Sequence, residues 1–341
     1  MKKIFFALAA VAALAACTKS EVAYDEVNEE IGFAPVIENM TKAMVPDNKF
    51  PQSEKINLWA YYKPVDAGKP VDAWYADASA VQTYLNHKTF AYNSTKKKWS
   101  GDGVEYFWPK NGSLVFVGYH PESLSSHASH DYDTNTMHFE DIAMSRVAAT
   151  SGVYTEDFMY FNMTPSYASG AVEANFKHAL SWISVLLVKD GDTSDNATIT
   201  VNKVEFTNVV SGGDADVIGA DAIDWDANGA AVTVEILEGT PVVLAKNNTK
   251  VQAYEPLFIP QSMNGKLIVE YEIRSRDDSH FTEVKEITLN GMKGKTDSDE
   301  TSLTEWEAGK HYTYTITIGT SEILVDPKVT EWKNVTVPSI I

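Results

Sequence analysis

The sequence predicts an all-β chain folded as two tandem antiparallel β-sandwiches, and three observations carry that prediction. Apolar and β-branched residues recur in runs of five to eight with period-two alternation, as in Leu267-Ile-Val269-Glu-Tyr271-Glu-Ile273 and Tyr312-Thr-Tyr314-Thr-Ile316-Thr-Ile318. Gly, Asn and Asp turns separate those runs, whereas a helical pattern fits only residues 77–85 and 177–183. The 341 residues, 44% of them hydrophobic, suffice for two cores of ordinary domain size. The turn-rich stretch Pro165-Ser-Tyr-Ala-Ser-Gly170 sets the boundary, giving sandwiches over 31–168 and 169–341, the second with an extended tail.

Taken in order, the chain opens on Met1-Lys2-Lys3 and an unbroken apolar run from Ile4 to Ala16. A charged start, an apolar stretch and small residues before a cut mark residues 1–16 as a secretory signal peptide. Cys17, the only cysteine, takes the first place after that cut. Leu14-Ala15-Ala16-Cys17 resembles the bacterial lipobox. The resemblance implies that the Cys17 thiol takes a diacylglycerol, that the peptidase cuts before it, and that the new amine is acylated. An ordinary signal peptide with a chance cysteine is the competing reading. No other apolar run approaches the ~18–20 residues of a membrane span, so attachment is expected through lipid alone, where stable anchoring takes more than one acyl chain. Residues 17–30 carry Glu21, Asp25, Glu26, Glu29 and Glu30 and read as an acidic, solvated tether. An acidic cluster there is similar to the surface-export signal of Bacteroidetes lipoproteins.

Ile31-Gly32-Phe33-Ala34-Pro35-Val36-Ile37 alternates like a strand, but Pro35 confines it to an edge or to an exchanged position. Ile56 to Tyr62 is short and aromatic-rich. Phe90-Ala-Tyr92 runs into an Asn93-Ser94 turn and then Lys96-Lys97-Lys98-Trp99. Tyr106-Phe-Trp108-Pro109, an Asn111-Gly112 turn and Leu114 to Tyr119 together read as a hairpin. Residues 120–157 read as loop, with short apolar pieces such as Ile142-Ala-Met144. The second half is more regular, with strands expected at Val172 to Phe176, His178 to Val188, Ile199 to Val201, Val204 to Phe206, Val232 to Ile236, Val242 to Leu244, Leu257 to Pro260, Leu267 to Ile273, Val284 to Leu289 and Tyr312 to Ile318.

Charge excludes one class of partner. Loss of the leader removes Lys2 and Lys3 and leaves 26 basic against 47 acidic groups, a net of −21. Such a surface repels phosphate backbones, so no nucleic acid is expected. With Cys17 acylated, no thiol remains for disulfides, metals or catalysis. The nucleophile-elbow, zinc-protease, P-loop and dinucleotide patterns are missing, so no cofactor and no enzyme activity is expected. Glu305 and Glu307 mimic a glycosidase pair only as spacing, and carboxylates in an acidic chain are mostly a solvated face. Asp224-Trp-Asp226-Ala-Asn228-Gly229, with Glu235 at the twelfth place, matches the calcium-loop pattern. The strand-like Val232-Thr-Val234-Glu-Ile236 replaces the helix an EF-hand needs, so a plain Asp226–Gly229 turn competes with calcium binding. His120, His127, His130 and His138 are too evenly spread for a zinc set, and His178 reads as hydrogen-bonded and half-buried. Trp59, Trp108, Trp182 and Trp306 fall in strand patterns and read as core. Trp74 and Tyr75, in a loop, are the candidates for an exposed glycan contact.

Several phrases together resemble the fimbrillin family of Bacteroidetes, the Mfa-like, type V pilin-like lipoproteins. They are Ile31-Gly-Phe33 before Thr41-Lys42-Ala43; Tyr106-Phe-Trp108-Pro109; Gly118-Tyr119-His120-Pro121; Asp157-Phe-Met159-Tyr160; Phe176-Lys-His178-Ala-Leu180-Ser181; Phe258-Ile259-Pro260-Gln261; and Trp306-Glu-Ala-Gly309-Lys310-His-Tyr312-Thr-Tyr314. The resemblance implies two transthyretin-like sandwiches and export as an outer-membrane lipoprotein. It further implies a fimbrial subunit for cell adhesion, joined to other subunits by β-strand exchange and meeting a host or bacterial surface ligand. Proteolysis would remove the anchor and first strand, and another subunit's arm would fill the groove by β-augmentation. Ile31, Phe33 and Ile37 would be that strand's inward residues, and Val335 to Ile341 a donor arm. Family pilins are often cut after arginine. None lies before Arg146 here, so Lys42 is the candidate cleavage site, or the subunit keeps its lipid. A surface-anchored glycan-binding lipoprotein is the alternative function, and an extracellular hydrolase a distant one.

Overall fold

Strands dominate the fold, with a short 3-10 turn at Glu122–Ser126. The computed structural model describes residues 29–37, 50–63, 82–109, 113–143, 157–162, 171–191, 197–219, 222–237, 241–244, 251–252, 256–295, 299–320 and 323–331. The all-β expectation holds, and the two helical readings are corrected. The described part of 77–85 opens the strand Gln82–Asn93, and 177–183 spans the end of Asn175–His178 and the start of Ser181–Lys189. The apolar run Trp182 to Val188 is buried on both faces, which removes the alternation that separates strand from helix.

The first unit is a sheet that closes on itself. Its neighbours run in order from Ala171–Val172 through Gly32–Phe33, Lys98–Gly101, Gln82–Asn93, Lys55–Lys63, Ser113–His120, Met159–Asn162 and Asn175–His178 to Val36–Ile37. The two ends of that path are the same two chain segments, since 32–33 continues into 36–37 and 171–172 into 175–178. The seam between them makes a barrel. Inside lie Ile31, Phe33, Ile37, Phe50, Ile56, Leu58, Phe90, Trp99, Phe116, Phe161 and Phe176. Residues 171–178, assigned by sequence to the second unit, thus pair with the first. The expected 106–119 hairpin is also replaced: Ser113–His120 pairs with Lys55–Lys63 and Met159–Asn162, while Tyr106 to Trp108 runs beside Glu29 to Ile31.

The second unit is a two-sheet sandwich. One sheet centres on Ser181–Lys189, Lys310–Ile318 and Ile323–Glu331, the other on Ala231–Leu237, Ala197–Val210, Lys266–Ser275 and His280–Thr288. Their facing side chains, among them Val185, Leu187, Val201, Phe206, Val269, Trp306, Tyr314 and Ile316, form its core.

A four-stranded sheet joins the halves: Ala128–Asp131 and Thr136–Ala143 from the first pair on with Gly212–Ile218 and Ala222–Asp226 from the second. This corrects the loop expected over residues 128–143. The inward set Met137, Phe139 and Ile142 is interleaved with His138, Glu140 and Asp141, so half of the strand reads as polar surface. This sheet covers the outer face of the barrel, where Trp59, Tyr61, Val117 and Tyr119 meet Met137, Phe139, Ala215 and Val217.

Candidate functional site

The barrel seam is the site the sequence pointed to, because segment 31–37 lies there. Ile31 and Phe33 are fully buried and Ile37 is 5% exposed. Phe33 is the central plug. Its ring stands edge-on to Phe90 at 5.1 Å and to Phe116 at 5.0 Å, and tilts against Phe161 at 6.3 Å. Each such pair adds roughly 0.5–1.5 kcal/mol beyond the area it buries.

Backbone pairing flanks the segment on both sides. It runs parallel to 171–176, with Gly32 opposite Ala171, Phe33 opposite Val172, Val36 opposite Asn175 and Ile37 opposite Phe176. The offset stays constant across Pro35. Ala34 and Val36 donate their N–H groups to the carbonyls of Val172 and Ala174, at 2.8 and 2.9 Å. Pro35 falls between them, at a position whose N–H would face the other neighbour, so its missing donor costs this ladder nothing. Pro35 is accordingly not at a sheet edge: it is buried, and its carbonyl accepts from the Phe50 N–H at 3.4 Å. On the opposite side Phe33 pairs antiparallel with Trp99, Ile31 donates to the Tyr106 carbonyl at 2.7 Å, and Trp108 donates to the Glu29 carbonyl at 2.9 Å.

The entrance of the segment is closed by charge. Asn93 accepts from the Thr95 and Lys96 N–H groups, both at 3.0 Å, and Lys97 takes a left-handed φ of 52°. That turn presents Lys96 and Lys98 over the seam. The Lys96 ammonium donates to both Glu30 carboxylate oxygens at 2.8 Å and to Glu105 at 2.7 Å. Hydrogen bonds to Glu105 and Glu30 raise the Lys96 pKa, and Lys96 in turn lowers that of Glu105. Lys98 lies across the segment as a strap: its ammonium donates to the Glu30 carbonyl at 3.1 Å and sits 3.5 Å from the Glu30 carboxylate. Its alkyl stem crosses Gly32 so closely that a Cβ there would stand 2.3 Å from Lys98 Cδ. Sequence reading places the three lysines after a turn and Glu30 in a tether, and misses that they meet. The signal available was an acidic residue directly before an alternating run.

The other sequence candidates do not converge. Cys17, Lys42, Trp74, Tyr75 and the tail 335–341 lie outside the described residues. The calcium-loop residues are divided between two sheets: Asp224 and Asp226 pair with Asp216 and Asp214, Asn228 donates to Asp214 at 2.9 Å, and Glu235 sits opposite Glu205. Among the described residues no group of three or more His, Cys, Asp or Glu is placed to hold a metal ion. His120 hydrogen-bonds the Lys55 carbonyl, His127 the Glu140 carbonyl, His130 the Tyr61 hydroxyl and His138 the Asp216 carboxylate. His178 is more buried than expected, 2.8 Å from Asp157. Trp59, Trp182 and Trp306 are core as read, and Trp108 packs half-buried against Phe116. Glu305 and Glu307 are exposed and, with Asp224 and Trp225, rim an open cleft of about 390 Å³ between the bridging sheet and the second sandwich.

Comparison with known proteins agrees with the architecture. A family model described as fimbrillin-like matches residues 41–332. A fimbrial protein from Bacteroides vulgatus is similar in structure with a TM-score of 0.59, at 16% identity over 90% of this chain and 100% of that one. A candidate cell adhesion protein from Parabacteroides distasonis is similar with a TM-score of 0.52, at 12% identity over 91% and 99% of the two chains. At these identities the likeness is one of fold. Among curated proteins none matches the sequence significantly.

Proposed function

The chain belongs to the fimbrillin-like family, and we propose that this fimbrial subunit is exported as a lipoprotein through Cys17 and joined to its neighbours by exchange of segment 31–37. The observation that supports this reading is the seam itself. An N-terminal segment with a fully buried aromatic plug, bonded on both flanks, leaves an apolar groove when it departs. An extended strand from another subunit restores the same ladder bonds and fills the same pockets. The tether 17–30 delivers the subunit to the outer-membrane surface. A cut after Lys42 releases the anchor together with the strand, and the tail Val335 to Ile341 serves as a donor arm. Within a fimbrium the role is structural and adhesive rather than catalytic.

The test is assembly of purified protein. A chain beginning at Ala43 is expected to take up an added peptide of residues 28–38 into a complex that resists mild SDS, while the chain beginning at residue 18, whose groove is filled, does not. Failure of the Ala43 chain to take up the added strand, at peptide concentrations up to the millimolar range, would sink strand exchange.

A further inference from the structure

The groove carries a charge and shape code that its own tail does not meet. We propose that Lys96 and Lys98 make the seam selective for an incoming strand with a carboxylate directly before its first inward apolar residue, so that this subunit accepts the strand of a different subunit and not a copy of its own tail. The proposal rests on the strand-exchange reading and adds to it the identity of the partner.

Segment 29–37 defines what fits. At Glu30 a carboxylate meets two ammonium groups. At Gly32 a residue without a side chain passes beneath the Lys98 stem. Phe33 fills the central pocket, and Ala34 and Val36 supply ladder N–H groups. Once the segment leaves, Lys96 keeps Glu105 but Lys98 loses the Glu30 carbonyl and carboxylate, so the entrance becomes more positive and calls for an anion. Partly shielded charge-assisted bonds of this kind discriminate more than neutral ones.

The tail fails this pattern in the same chain direction. Placing Val335, Val337 and Ile341 on Ile31, Phe33 and Ile37 puts Asn334 at Glu30, with Lys333 beside it, against two lysines. It also puts Thr336 under the Lys98 stem and Pro338 at Ala34, where the ladder needs an N–H. Slipping by one residue to bring Pro338 onto Pro35 turns Val335 and Val337 to the wrong face. The tail thus suits another groove. The partner whose strand enters here is an extended segment reading acidic, apolar, Gly, aromatic or apolar, with no proline two or four places after that Gly.

The experiment uses the unlipidated mature chain (Cys17→Ser) with a specific protease site inserted between residues 42 and 43. After cutting, segment 17–42 remains held without a covalent link, and fluorescent peptides compete for its place. The peptide of residues 28–38 is expected to exchange in. Its Glu30→Gln form should bind about 5- to 10-fold more weakly at low salt, and the gap should narrow at about 1 M salt. A Lys98→Met receptor, which keeps the stem, should lose most of that preference. A peptide of residues 331–341 should bind at least about 100-fold more weakly than 28–38, since it lacks the ladder bond as well as the ion pair. Equal binding of the native 28–38 peptide and its Glu30→Gln form, or tail binding within a few-fold of 28–38, would overturn the selectivity while leaving strand exchange standing. Failure of every peptide to enter would overturn both.

Discussion

The two ends of the barrel-and-sandwich chain are held by different means. In the second unit, Ser181–Lys189 and Lys310–Ile318 run parallel through an unbroken register from Trp182/His311 to Lys189/Ile318, and Lys310–Ile318 continues antiparallel to Ile323–Glu331 from end to end. In the first unit, segment 31–37 is held by two-residue pairings on either side of Pro35. What the segment lacks in ladder length it makes up in side chains: four buried apolar residues, Ile31, Phe33, Pro35 and Ile37, and an ion-paired entrance. Long ladders resist local opening, because many bonds must break together. A short ladder with a plug leaves as one unit once the plug is withdrawn. The contrast separates a permanent core from a replaceable strand within one chain.

The largest effect that would break or sharpen this contrast is expected from Phe33→Ala. Truncating a fully buried Phe costs about 3–5 kcal/mol, and here the loss should be local. Hydrogen exchange should accelerate at Ala34, Val36 and Lys98–Gly101 while Ser181–Lys189 stays protected. Phe206→Ala in the second core should instead destabilise the sandwich without freeing the seam. Equal loosening of both units by Phe33→Ala would mean that the segment is part of one cooperative core.

Acid should act elsewhere. Burial pushes His130, on the bridging sheet and hydrogen-bonded to Tyr61 of the barrel, and His311, stacked on Trp182 at 3.7 Å in the second sandwich, down to about 4. Both rings stay neutral in the fold between about pH 4 and 6.5, while the unfolded chain takes up protons there. Stability is therefore full above about pH 7 and falls as pH drops toward 4, by roughly 2–3 kcal/mol per ring. Denaturant midpoints measured from pH 7.5 to 4 check the slope. A His311→Gln variant should lose about half of it, and a flat profile would refute the neutral, buried state of these rings.

The smallest expected effect is Gly32→Ala. Its new methyl forces only the flexible end of Lys98 aside, so the cost should be about 1 kcal/mol or less, a few degrees in Tm for this unit. Removing the stem with Lys98→Ala should abolish that cost. A Gly32→Ala penalty that persists without the stem would place the constraint in the backbone.

Much of the first unit is legible in outline from sequence and misleading in pairing. The alternation of Ile31, Phe33 and Ile37 gives the inward residues correctly, because period two is a local property of an extended chain. Pro35 reads as the mark of an edge or of an exchanged position, and the ladder bonds made by Ala34 and Val36 on either side of it remove the need for the edge. Tyr106-Phe-Trp108-Pro109 reads as one arm of a hairpin because an Asn-Gly turn follows it. The barrel instead gives Ser113–His120 to Lys55–Lys63 and leaves 106–108 beside the seam. Thr136–Ala143 is hidden for the opposite reason, since its polar face is a solvated strand face and looks like loop.

By itself the sequence determined the all-β class, the core aromatics Trp59, Trp182 and Trp306, the turn that carries Lys96 to Lys98, and the inward positions of segment 31–37. These follow from side-chain alternation and turn chemistry, which act over a few residues. Only the tertiary structure decided that residues 171–176 close the barrel on segment 31–37, that a sheet shared by both halves covers its outer face, and that Glu30 meets Lys96 and Lys98. Each of these joins positions tens of residues or more apart, where the gain comes from burial and charge pairing in space. No local pattern records that gain.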